Sequence, residues 1–109
     1  MQAWATVHEA GVSHLAHCHP DSVVSGVYYV KVPQGAGSIV FDDPRGPLPP
    51  FDTKMTIKPT LGDLILFPSW LIHQVSQTAG DEPRISIAFN IPGLWKTTAT
   101  VSEWFPLEA

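Results

Sequence analysis

Little in this sequence is basic, cysteine-rich or continuously apolar, and each shortage removes a class of function. Only 6 residues are Lys or Arg against 10 acidic ones, the net charge is −4, and the basic residues form no cluster. A phosphate backbone is neutralised by concentrated positive charge, so nucleic acid is not an expected partner. The one cysteine, Cys18, has no second thiol to pair with in the chain, and the first residues do not read as a secretory leader, so a cytoplasmic address is expected. The most apolar stretch, Leu64 to Ile72, is broken by Pro68 and Ser69 and falls far short of the ~20 residues of a membrane-spanning helix. No membrane partner is expected. Long charged stretches of the kind that form helical bundles are scarce as well.

What is present is turn chemistry between short apolar runs. The 109 residues include 11 prolines and 8 glycines, a density that favours many reversals and an all-β domain. Eight runs carry β-branched or alternating apolar residues: Trp4–Val7, His14–His19, Ser25–Val32, Ser38–Asp42, Lys54–Lys58, Asp63–Phe67, Ile72–Gln77 and Arg84–Ile91. They predict a single domain over residues 1–109 with two sheets wound as a jelly roll, a cupin-like double-stranded β-helix. The stretch from Asp43 to Thr53, with four prolines around Leu48 and Phe51, is too stiff for a helix; it reads as a lid or rim across the barrel mouth, or as an ordinary surface loop.

The last run has two faces of opposite character. Arg84, Ser86, Ala88 and Asn90 alternate with Ile85, Ile87, Phe89 and Ile91, and alternate residues of a strand share a face. The expectation is that the polar set lines a cavity and the apolar set lies outside. That outer face then needs a cover, to which the segment from Leu94 to Leu107, with Trp95, Trp104 and Phe105, contributes part. A second copy of the chain, as a homo-oligomer, or further residues would complete it.

His17-Cys18-His19 sets two imidazoles at i and i+2, on one face of a strand and able to chelate one metal. His73, just after Leu71-Ile72, is the natural third ligand. Three protein ligands leave positions open for substrate and dioxygen, which a closed four-ligand site does not. Arg84 follows His73 by eleven residues, with Ser86 two further on. A buried guanidinium needs an anion, and an Arg fork with a neighbouring hydroxyl suits the distal carboxylate of 2-oxoglutarate. The alternative is a surface arginine paired with Asp81 or Glu82.

The stretches His17-Cys18-His19-Pro20, Ser25-Gly26-Val27-Tyr28-Tyr29-Val30, Gly62-Asp63-Leu64-Ile65-Leu66-Phe67-Pro68-Ser69-Trp70-Leu71-Ile72-His73 and Arg84-Ile85-Ser86-Ile87-Ala88-Phe89-Asn90 together resemble the 2-oxoglutarate and Fe(II)-dependent oxygenases. The likeness runs from about Trp4 to Ile91. It implies the double-stranded β-helix, a dioxygenase with Fe(II) and 2-oxoglutarate, and a small molecule or protein side chain as substrate. It also implies that His17 or His19 opens the metal motif, that His73 is the distal ligand, and that Arg84 and Ser86 hold the cosubstrate. Tyr28 or Tyr29 would add a hydroxyl, with Tyr29 taken as the candidate.

Where that superfamily usually has His-x-Asp or His-x-Glu, this sequence offers His17-x-His19 or, shifted by two, His19-x-Asp21. The set His17, His19 and His73 is preferred because Pro20 should end the strand before Asp21; the alternative keeps Asp21. Two further readings stand beside the oxygenase: a three-histidine dioxygenase of cupin type that works without 2-oxoglutarate, and a metal-binding jelly-roll module without turnover. His8 and His14 read as rim or surface histidines. Cys18 reads as a small buried hydrophobe, and Trp4 and Trp70 as core or pocket wall.

Overall fold

The computed structural model describes residues 1–93. Eight strands follow one another: β1 (Gln2–His8), β2 (His14–His17), β3 (Ser22–Lys31), β4 (Ile39–Phe41), β5 (Met55–Ile57), β6 (Leu64–Pro68), β7 (His73–Val75) and β8 (Arg84–Pro92). They form two antiparallel four-stranded sheets in the orders β1-β8-β3-β6 and β2-β7-β4-β5. All eight expected runs are strands, and the two-sheet jelly roll is the fold. Among the described residues no helix is long and apolar enough to cross a membrane. The expected cover from Leu94 to Leu107 lies outside the described residues.

β8 sits between β1 and β3, and its alternation orders the whole sheet. Arg84, Ser86 and Asn90 are buried between the sheets, whereas Ile87 and Ile91 are exposed on the outer face. Register carries the same division to the neighbours. His8 lies opposite Arg84 and Thr6 opposite Ser86 on one side, while Tyr29 lies opposite Ser86 and Ser25 opposite Asn90 on the other. The outer face continues over Tyr28, Leu64 and Leu66, all exposed.

The apolar core is small. Ile39, Phe41 and Phe67 are buried together, with Val27, Ile57, Ile65 and Leu71 packed around them. Phe41 and Phe67 meet edge to face at 5.0 Å, and Phe67 meets the His73 ring at 4.7 Å, so the core forms a floor beneath that histidine. The remaining space between the sheets is lined both by polar side chains, His8, Arg84, Ser86 and Asn90 among them, and by apolar ones such as Val27, Val75 and Phe89.

Two expectations change. The stretch from Asp43 to Thr53 does not close the barrel mouth: none of its residues lines the central cavity, and Asp43, Pro44, Gly46, Pro47 and Asp52 instead flank a shallow cleft beside Trp70, Leu71 and Ile72. Its shape comes from Asp43, whose carboxylate accepts from Arg45 N, Nε and Nη2 and from Thr53 N. Second, β2 stops at His17, so Cys18 lies beyond the strand and is exposed rather than buried.

Candidate active site

β2 and β7 are paired with His17 directly opposite His73, which brings two imidazoles from distant points of the sequence face to face. Ring centroids are 4.4 Å apart. His19 follows after the end of β2 and is fixed through its own backbone, whose N–H donates to the Ser69 carbonyl at 2.9 Å. Its ring stands 5.0 Å from that of His17 and 5.3 Å from that of His73. One ligand nitrogen from each of the three lies within 4.8 Å of the others. With metal–nitrogen bonds of about 2.1 Å, two ligands of one ion are at most about 4.2 Å apart, so small ring rotations suffice to bind.

At His17 and His73 the tautomers favour it as well. His17 Nδ1 lies 2.6 Å from the Leu15 carbonyl and His73 Nδ1 lies 2.9 Å from the Leu71 carbonyl. Each Nδ1–H is donated to backbone, which leaves the Nε2 lone pair free, an arrangement characteristic of metal-binding histidines. His19 Nδ1 faces the Asn90 amide at 3.4 Å. Behind Asn90 the Ser25 hydroxyl donates to Oδ1 at 2.6 Å and meets the Ser69 hydroxyl at 2.8 Å. Burial first, and then repulsion from His17, lowers the pKa of His19. Burial also lowers that of His73, more than its bond to Leu71 raises it. Both imidazoles are therefore neutral near pH 7 and ready to donate lone pairs.

No carboxylate belongs to the cluster among the described residues. Asp21 is exposed in the turn after His19.

The three histidines line a cavity of about 110 Å³ that also reaches His8, Tyr29, Arg84 and Ser86. Arg84 is 2% exposed and, among the described residues, is in none of the ion pairs; Glu82 meets Lys31 instead, at 4.0 Å. The surface alternative for Arg84 is thereby set aside. Nη1 donates to the Gly37 carbonyl at 3.2 Å and Nη2 to His8 Nδ1 at 2.8 Å, while Nε is buried without a partner. A buried cationic fork with no counter-anion among the described residues is suited to receive one.

The Tyr29 ring lies 5.6 Å from the guanidinium. Burial raises the Tyr29 pKa and keeps its hydroxyl a donor. Between the two tyrosines, Tyr29 is 1% exposed on the cavity side and Tyr28 43% exposed on the outer face. The turn before β6 holds Tyr29 in place: its N–H donates to the Asp63 carbonyl, and Gly62, at φ 85°, donates back to the Tyr29 carbonyl.

His8, read from the sequence as a rim or surface histidine, is instead buried beside Arg84. The alternation Trp4, Thr6, His8 along β1 carried the signal, since all three line the cavity. His14 lines it too, with its ring 4.3 Å from that of His8. Trp4 borders the cavity, whereas Trp70 lies on the exposed clefts outside it.

Residues 2–90 match the family described as "Putative 2OG-Fe(II) oxygenase". Among solved structures, the fold is similar to a Pseudomonas putida prolyl-4-hydroxylase, with a TM-score of 0.67 and 18% identity over 89% of this chain. It is also similar to SnoN, the non-heme alpha-ketoglutarate-dependent epimerase from nogalamycin biosynthesis, with a TM-score of 0.65 and 19% identity over 80% of this chain. The chain spans 54% and 43% of those two proteins, about half their length. No curated protein matches it.

Proposed function

The chain belongs to the 2-oxoglutarate and Fe(II)-dependent oxygenase family, and from that premise we propose that it is a dioxygenase that hydroxylates a small molecule or a protein side chain. His17, His19 and His73 would hold Fe(II), with His17 and His73 binding through Nε2. Arg84, Ser86 and Tyr29 hold the distal carboxylate of 2-oxoglutarate. The observation that carries this reading is one cavity shared by a three-histidine cluster and a buried arginine that has no ion-pair partner among the described residues.

Bound Fe(II) and 2-oxoglutarate supply dioxygen activation, with the cosubstrate losing carbon dioxide to become succinate as the substrate is oxidised. The protein's own contribution is placement. Arg84 fixes the far end of a five-carbon dicarboxylate, so its 2-oxo acid end has one direction left in which to reach the histidines. The Tyr29 ring packs against the guanidinium and shields it from water, and the neutral imidazoles are kept from protonation by burial. Purified protein with Fe(II) should convert 2-oxoglutarate to succinate slowly without added substrate, and Arg84→Ala should abolish this. Fe(II) binding with no succinate, and no binding of 2-oxoglutarate, would overturn the reading.

One observation favours a second reading. With no carboxylate in the cluster, the ligand set matches a three-histidine dioxygenase that binds its substrate directly at the metal. That enzyme consumes dioxygen with its substrate and forms no succinate.

A further inference from the structure

We infer that His8 is a second side chain that binds the distal carboxylate of 2-oxoglutarate, a neutral N–H donor set beside the Arg84 cation. This rests on the cosubstrate reading above and assigns it a residue on a different strand.

The inference follows from where protons must sit. His8 ends β1 directly opposite Arg84 on β8, and both side chains are almost wholly buried, at 1% and 2% exposure. The guanidinium Nη2 can only donate, so His8 Nδ1, 2.8 Å away, must accept. The proton of the neutral imidazole then lies on Nε2. Among the described residues that atom is buried without a hydrogen-bond partner, and so is Arg84 Nε. Two adjacent side chains therefore each keep a buried donor unused, an arrangement that is unfavourable unless something in the cavity accepts from both. A carboxylate, with two oxygens and several lone pairs, is the simplest such acceptor.

Among the described residues, every charged or titratable group facing His8 agrees with this. Arg84 approaches from β8 and the His14 ring from β2, at 4.3 Å, with Tyr29 beyond Arg84 on β3. None of them is an anion. Burial first, then Arg84, then His14 hold His8 down at about 4, so at neutral pH the cavity offers one positive charge to one negative carboxylate. Arg84 thus fixes the His8 tautomer, and His8 in turn holds one arm of the Arg84 fork.

The test uses the full chain loaded with Zn(II), which binds histidines without redox chemistry. 2-Oxoglutarate is titrated beside 2-oxopentanoate, which has the same 2-oxo acid end and no distal carboxylate. His8→Phe should weaken 2-oxoglutarate binding by about tenfold or more, the worth of one hydrogen bond to a charged group, and leave 2-oxopentanoate unchanged. His8→Asn, which keeps both an acceptor for Arg84 and a donor, should recover most of the loss. In the wild-type chain with labelled histidine, 2-oxoglutarate but not 2-oxopentanoate should shift the His8 Nε2–H resonance downfield. Equal loss for both acids in His8→Phe with no recovery in His8→Asn, or unchanged 2-oxoglutarate affinity in both variants, overturns the assignment of His8 alone. A wild-type chain that binds Zn(II) but not 2-oxoglutarate overturns the cosubstrate reading with it. The asparagine variant and the resonance decide the matter if His8→Phe does not fold.

Discussion

A histidine can bind a metal only through the nitrogen its neighbours leave free, and here backbone carbonyls make that choice at His17 and His73. Replacing His17, His19 or His73 with alanine should each weaken Zn(II) or Fe(II) binding at least a hundredfold, while Asp21→Ala leaves it unchanged; competition with a chromophoric chelator measures both. Burial also makes the metal-free protein acid-sensitive. His8 is held at about 4 against 6.5 for a free imidazole, so between those values the unfolded chain binds a proton that the native chain refuses. Stability should be full above pH 6.5 and fall as pH drops toward 4, by up to about 1.4 kcal/mol per pH unit for that one group. Urea midpoints at pH 7.5 and 5 read it, and His8→Asn should flatten the difference. The convergence of His17, His19 and His73 was legible from spacing and resemblance together. His8 was not, because a single histidine at a strand end looks the same in sequence whether its partner across the sheet is an arginine or water.

Strands were the most legible elements, since alternation and turn residues mark them locally. Their ends were less so. His14–His19 was expected as one strand, but a register shift between His14 and His17 and the contact of His19 N–H with Ser69 end β2 early and turn Cys18 outward. The loop from Asp43 to Thr53 was legible as a stiff connection and not in its position, because what fixes it is a carboxylate gathering donors from both ends. The Arg45 side chain, above all, holds Asp43 well below the usual carboxylate range. Asp43→Asn should therefore speed amide exchange and proteolysis in that loop without changing metal affinity. Gly37 is a different constraint: a Cβ there would clash with the Ser76 backbone carbonyl, in the segment whose own carbonyl accepts from Arg84. Gly37→Ala should cost about 1–3 kcal/mol by denaturant unfolding and also weaken 2-oxoglutarate binding, since moving that backbone moves the arginine's anchor.

At the scale of the whole molecule, apolar residues divide between a small core and a broad outer face. Phe41 is buried against Phe67, whereas Leu66 is 57% exposed. Phe41→Ala should destabilise by about 3–5 kcal/mol, while Leu66→Thr stays within about 0.5 kcal/mol; chemical unfolding of the two variants separates the roles of the faces. The division itself was readable from the alternation of β8. Which residues stand behind the outer face was not, because periodicity along one strand says nothing about the layer beyond it.

The two sheets also divide the chemistry. The three histidines proposed to bind the metal come from β2, β7 and the residues just after β2, on the side of one sheet, while Arg84, Ser86, His8 and Tyr29 come from β8, β1 and β3 in the other. A dicarboxylate held at one end by the metal and at the other by the arginine would thus be a tie between sheets whose shared apolar core is small. Because it joins halves that share so little apolar contact, occupancy should act as mortar: the native state gains about 2.7 kcal/mol when ligand stands at a hundred times its Kd, and the gain should be concentrated where the sheets would otherwise part.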